Sequence, residues 1–393
     1  MKTAFAVACL MLLPGSLMAS SFSDFEQSRA TTVEDSAVAP GPRQLDRPLF
    51  ENDDVLDVTI PLHFKDLCRP REDDNCDFIS TTLEYTTSEG ESLTLPIEVK
   101  VRGGWRSLTI NCSAPLLWVR FSAAEVKGTL FEGQELLPLT THCGRGLSLE
   151  ANAARQPQSS WEQYLLKEYL AQRLYGLFSE YSLRTRLVRV HYPDPDRPNK
   201  VVHNFAFFTE HFDSMAERNG VQRLERKSFD HETLDFRVAD ILALFQFMIG
   251  NTDWSIVRER NTVLVSTADG KQIPVPYDFD MSGLVDAHYA APAPGLDIES
   301  VKTRRYLGFC LPKPQWEELF AHIELQRTAA SDLVEQVPAL SDDSLQSSRD
   351  YIDGFYGILG SKEDRTNHIM KACKPWPPSD SNHLDPKKRR RAR

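Results

Sequence analysis

The chain has no CxxC pair and no histidine cluster beside its cysteines, so the usual signatures of a structural zinc site are missing. It also lacks an excess of positive charge. Its 45 Lys and Arg stand against 56 Asp and Glu, a formal net charge of -11. General binding to nucleic acid or to an anionic membrane is therefore not expected. Beyond its first residues no apolar run is long enough to span a bilayer. There is no internal repeat and no Gly-rich phosphate loop. The nearest candidate is Gly103-Gly104, and a glycine pair alone is ordinary turn chemistry.

What the chain does have is enough apolar material for a sizeable core: 41% hydrophobic and 10% aromatic over 393 residues. That length suits roughly two or three domains. Residues 1–19 read as a secretory signal. Met1-Lys2 gives a basic start, residues 4–13 a short apolar run, and Ser16-Leu17-Met18-Ala19 an ending in small residues. A periplasmic or secreted location follows as the expectation. Six cysteines remain after such a signal, an even number that fits disulfides in an exported chain. Many pairings stay open. The arrangement favoured here is Cys68–Cys76 as a local loop, Cys112–Cys143 in the first half and Cys310–Cys373 holding the C-terminal helices.

Organisation is read from periodicity. Residues 20–50 are polar and rich in Ser, Asp and Pro, a flexible lead-in. Residues 51–155 carry period-two alternation, clearest in Leu93 to Val101 and Leu117 to Phe121. From 156 to 375 the pattern is mainly helical, with two strand-like runs, Thr185 to Val190 and Asn204 to Phe208. Trp161, Leu165, Tyr169 and Leu174 recur on one face after a Ser159 or Ser160 cap. A second helix over 235–248 stops at Gly250, and later ones cover 315–333 and 344–359. Residues 376–393 form a basic, disordered tail. The fold class is α+β, with a β-rich half before a helical one.

The functional information concentrates after the second helix. Asn251 and Asp253 stand on the loop past Gly250. Then come Asn261, an apolar pair of segments around an Asp269-Gly270 turn that reads as a hairpin, and Pro276-Tyr277-Asp278-Phe279-Asp280. A loop acid, a downstream amide and acids just past a hairpin are the parts of a phosphoryl-transfer site. One acid orients a hydroxyl or water, and amide oxygen and carboxylate hold a hard divalent cation.

Those motifs, with the Arg-Gly strand end Val101-Arg102-Gly103-Gly104-Trp105-Arg106 and the segment Phe207-Phe208-Thr209-Glu210, resemble the spore-coat protein H (CotH-like) kinase family. They are similar, more distantly, to HipA-like and secretory-pathway atypical kinases. The resemblance covers about residues 55 to 290. It implies a two-lobed, atypical protein-kinase-like fold with a β-rich N-lobe and a mainly helical C-lobe, binding ATP and Mg²⁺. Asp253 would then be the catalytic acid that orients the acceptor. Asn261 and Asp278 would be metal ligands, Asp280 a second metal or structural acid, and Glu210, Lys100 and Arg102 the candidates on the nucleotide side. The acceptor would be a protein or small-molecule hydroxyl. Departures are Ser255-Ile256 after Trp254, and Ala114 to Leu117 where the family has a basic residue. A basic group facing Asp278 is required if the reading holds.

Plainer roles stand beside these. Asp253 can cap a turn, Asp278 and Asp280 can bond backbone amides, and Glu210 can end a strand. Trp105, Trp118 and Trp161 read as core, His203, His211, His231 and His288 as scattered, and Asp194 and Asp196 as solvated in a Pro-rich turn. Two other functions fit the same residues: a non-catalytic envelope binding or assembly protein, and a metal-dependent hydrolase.

Overall fold

The computed structural model describes residues 47–69, 76–144, 147–148 and 160–375. The signal segment, most of the lead-in and the basic tail lie outside the described residues. Residues 47–50 of the lead-in do not: Pro48–Phe50 forms a 3-10 turn that buries Leu49.

Alternating sequences in the first half form the strands β1 (Leu56–Thr59), β2 (Ile79–Thr86), β3 (Ser92–Val101) and β4 (Leu117–Phe121), joined by β5 (Leu136–Thr140) and the short β6 (Leu147–Ser148), for which no strand was expected. Two longer strands follow the first helix, β7 (Thr185–Asp194) and β8 (Arg197–Thr209). The strands run antiparallel from β1 to β5. β5 pairs with β8, β8 with β7, and β7 lies parallel to β1. Seven strands thus close into a mixed barrel, which removes free sheet edges. Its interior is filled from alternate positions, including Val58, Leu83, Ile97, Val119, Leu137 and Phe208.

Six helices pack outside it: α1 (Ser160–Gly176), α2 (Phe212–Arg218), α3 (Phe236–Met248), α4 (Lys313–Glu324), α5 (Arg327–Gln336) and α6 (Asp342–Gly360). The α3 boundaries follow their signals. Asp235 caps by accepting from the Val238 amide at 3.1 Å, and Gly250 takes φ +66° just beyond the end. The single helix expected over 315–333 is two helices broken at Leu325 and Gln326. Both bury apolar residues, Phe320 and Ile323 on one and Leu333 and Val334 on the other, in the same core. The expected hairpin is β10 (Thr262–Ser266) and β11 (Gln272–Pro276), with Gly270 at φ +84° in the turn and β9 (Gln222–Arg223) on the other side of β10.

This architecture overturns the two-lobed, atypical kinase-like fold with a helical C-lobe. The finding against it is barrel closure: β7 and β8, from the half read as mainly helical, complete the sheet begun by β1 to β5. Periodicity reports which face of a strand is apolar, not which strand it pairs with. The β7–β8 wall faces two ways. Val188, Ala206 and Phe208 point into the barrel, while Leu187, Phe205 and Phe207 point out to meet α1 and α3. One pair of strands serves two cores.

The cysteines pair as Cys68–Cys76, Cys112–Cys143 and Cys310–Cys373. Among the described residues no helix is long and apolar enough to cross a membrane.

Two outcomes follow. Phe208→Ala empties the barrel centre and should lower stability by about 3–5 kcal/mol, read as a fall in the denaturant midpoint at unchanged slope. His142 is buried with both ring nitrogens unpartnered, and burial lowers its pKa to about 4. The unfolded imidazole titrates near 6.5, so between those values the unfolded chain holds more protons. Stability should therefore fall as pH drops from about 6.5 to 4, by about 3 kcal/mol from this group. Urea midpoints across that window should show a shallower slope in His142→Asn.

Candidate functional site

A cavity of about 990 Å³ opens between the loop after β3, the end of β8, α1 and the β10–β11 hairpin. Its volume is at the upper end of the range for small-molecule sites. Its lining combines apolar side chains, among them Leu116, Trp118, Leu136, Pro138 and Phe207, with a charged group around Arg106.

Arg106 organises the charged group. It sits in a 3-10 turn, Trp105–Ser107, and its guanidinium is buried. Nη1 donates to Glu168 Oε2 at 2.9 Å and Nη2 to Glu168 Oε1 at 3.2 Å. Nη2 also donates to Asp278 Oδ1 at 2.5 Å, and Nε lies 3.4 Å from Asp280 Oδ2. Burial alone would weaken the charge on Arg106, but Asp280, Glu168 and Asp278 outweigh it and hold its pKa above the ordinary value. The acids share this cation unequally. Glu168 and Asp280 are both enclosed, and Asp278 is partly open. Burial raises the Asp280 pKa to about 8 against the pull of Arg106, with Asp278 and Glu168 adding to the rise. Tyr289 donates its hydroxyl to the Asp280 carboxylate at 3.2 Å. Asp280 is thus placed as the acid that most readily keeps a proton.

Asp253 stands on the loop after α3, where its amide donates to the Asn251 side-chain oxygen at 2.9 Å. Asn261 Nδ2 donates to the Asp253 carboxylate at 3.0 Å and to its backbone oxygen at 2.8 Å. Arg260 pairs with the other carboxylate oxygen. Burial raises the Asp253 pKa, Arg260 opposes the rise, and Asp278 adds to it. Asp253 and Asp278 line the same cavity. Asn261 and Asp278 take φ +48° and +63°, a left-handed region that short polar side chains tolerate. Both line the cavity.

The nucleotide-side candidates separate. Arg102 lines the cavity, donates to Thr140 Oγ1 at 3.0 Å and stands over the Trp118 ring at 5.5 Å. Burial lowers its pKa to about 10, with Arg106 contributing. Glu210 also lines the cavity, but Arg218 grips both of its oxygens at 3.0 and 2.9 Å. Lys100 points away from the barrel and sits over Phe78 at 5.7 Å.

Two plainer readings change. Trp105 is 47% exposed, stacked against Tyr289 with ring centroids 4.9 Å apart, and is not core. Asp194 is buried and not solvated. Arg197 takes one of its oxygens and the backbone amides of Asp196 and Arg197 the other. His63, Asp194 and Asp196 are the one grouping of metal-ligand spacing among the described His, Cys, Asp and Glu residues. With both Asp194 oxygens occupied it is a turn clasp.

Arg106 and Glu168 were not singled out from sequence. Arg106 closes the quoted Arg-Gly segment, but its reach into the acids is a tertiary fact. The clue to Glu168 is spacing: Leu165, Glu168 and Gln172 share a helical stripe, so a carboxylate stands on a face meant for burial.

Arg106→Ala would strand three carboxylates around a missing cation. It should destabilise the fold by about 3–5 kcal/mol, measured by denaturant titration. Asp280→Asn added to that variant should recover part of the loss, because it removes a carboxylate whose charge burial opposes. No protein-family model matches the chain, and no curated protein matches it.

Proposed function

We propose that this chain is an exported phosphotransferase that binds a magnesium nucleotide, with ATP as the expected donor, and passes a phosphoryl group to a hydroxyl. The observation that carries the reading is the meeting of Asp253, Asn261, Asp278 and Arg106 in one cavity whose lining also holds apolar side chains. Apolar side chains suit a base, and a charged group suits phosphates. Arg102 and Arg106 are the cations for the phosphate oxygens, and the grip of Glu168 keeps the Arg106 fork oriented.

The donor set fits a hard cation. Asn261 spends its amide nitrogen on Asp253, and among the described residues its side-chain oxygen accepts nothing. Asp278 gives one oxygen to Arg106, and its side chain remains 37% exposed. Two oxygen ligands from the protein, completed by phosphate and water, are what Mg²⁺ commonly takes. Bound there, the ion would neutralise charge on the phosphates. Asp280, held by Arg106 and Tyr289, is a supporting acid in this reading and not a ligand. Asp253 orients the acceptor hydroxyl and takes its proton as the new O–P bond forms and the bridging oxygen of the donor leaves. The Cys pairs and the N-terminal signal pattern support an oxidising compartment.

One observation favours a second reading, a non-catalytic binding module. Arg106 already supplies positive charge to Glu168, Asp278 and Asp280, so the cluster can persist without a metal. Thermal melts of wild type and Asp278→Ala in millimolar MgATP separate the two. The phosphotransferase reading expects a rise in Tm of several degrees that needs Mg²⁺ and disappears in Asp278→Ala. A rise with nucleotide alone, unchanged in the variant, would leave the binding module. No rise in either would remove both.

A further inference from the structure

The segment that carries Arg106 has little purchase of its own on the molecule. Residues 102–116 leave β3 and return into β4, and the Arg102 amide closes the base of the loop on the Leu116 oxygen at 2.9 Å. Leu116 is buried where the loop returns, but the large apolar side chains nearer Arg106 do not anchor it. Ile110 is 91% exposed, and Trp105 leans on Tyr289 but stays half in solvent. The loop is instead clamped from outside at its far end. Cys112 is bonded to Cys143, just past β5. The Ala114 amide donates to the Cys143 oxygen at 3.1 Å, and Thr141 Oγ1 donates to the Ala114 oxygen at 2.7 Å.

The guanidinium of Arg69 fills the inside of the loop. Nη1 donates to the Cys112 oxygen at 3.2 Å and to the Ser107 oxygen at 3.5 Å, and Nη2 reaches the Ser113 oxygen at 3.3 Å. Ser107 is the residue next to Arg106. Arg69 itself follows Cys68, which is paired with Cys76. Cys143 holds φ +63°, a left-handed conformation unfavourable for a residue with a Cβ and kept only where the surroundings enforce it.

We propose that the Cys112–Cys143 bond and Arg69 are the positioning elements of the phosphate-binding cation Arg106, so that the cavity becomes competent to bind only in a chain folded under oxidising conditions. The inference rests on the phosphotransferase reading for what Arg106 binds, but not for where Arg106 stands. The bond forms when the two thiols give two electrons to a disulfide donor, which is reduced to two thiols as the cysteine protons pass to it. Both sulfur-bearing residues are buried in the folded chain, so the link is made during folding and is not a reversible surface switch. Without it, Cys143 is free to leave the left-handed region and the loop swings on its base. A displacement of about 1 Å at the guanidinium is enough to break the shared contacts with Glu168 and Asp278.

The test uses the full mature chain and two readouts. The first is the affinity for MgATP by calorimetry. The second needs no ligand: the exchange of the Arg106 Nε proton by NMR, assigned with Arg106→Lys. The variants are Cys112→Ser with Cys143→Ser, Arg69→Gln, and Cys310→Ser with Cys373→Ser as a control for loss of a disulfide elsewhere. The expected result is at least a tenfold loss of affinity and rapid Nε exchange in the first two, with both near wild type in the control. Arg69→Gln keeps the disulfide and serves if the double variant does not fold. Protected exchange and unchanged affinity in folded Cys112→Ser/Cys143→Ser or Arg69→Gln would overturn the proposal. Wild type that fails to bind MgATP would sink the phosphotransferase reading instead, and the exchange readout would still decide where Arg106 is held.

Discussion

A single buried guanidinium ties together three parts of the chain that are far apart in sequence. Arg106 comes from a loop of the barrel, Glu168 from the helix that leans on it, and Asp278 and Asp280 from the strand end past the hairpin. Three carboxylates around one cation cannot all be neutralised by it. The structure manages the excess by enclosing Asp280, whose charge burial opposes, and by leaving Asp278 partly open to the cavity. That asymmetry makes one acid structural and the other available to a ligand.

The wall formed by β7 and β8 is the second constraint. Because side chains alternate across a strand, these two strands present Val188, Ala206 and Phe208 to the barrel core and Leu187, Phe205 and Phe207 to the helical core. The helix carrying Glu168 is buried on nearly every side as a result, and its polar residues must find partners. Glu162 accepts from the Phe205 amide at 2.9 Å, and Glu168 takes the fork of Arg106. The register of two strands therefore aims a carboxylate into the cavity.

The local parts of the site were readable from residue order. The α3 stop at Gly250, the Asp269-Gly270 hairpin and the polar residues at its ends are short-range signals, and Asp253, Asn261 and Asp278 do line one cavity. Lys100 and Arg102 show the limit of such reasoning. Alternation places both off the barrel interior, yet only Arg102, at the strand end where the chain turns, reaches the cavity. Trp105 and Asp194 depart from expectation in opposite directions. Trp105 is exposed where an aromatic suggests core, and Asp194 is buried where a turn acid suggests solvent, because exposure depends on what the neighbouring loop covers.

The amino-acid sequence by itself determined most of the strands and helix limits, the even set of cysteines and the cluster of acids and amides after α3. Each of these depends on residues within a few positions of one another. Only the tertiary structure decided that the sheet closes on itself, that Arg106 is the cation facing Asp278, and that Glu168 holds it there. Those outcomes turn on pairings between residues scores of positions apart, for which periodicity has no term. They are settled by which buried faces and charges satisfy one another once the chain is packed.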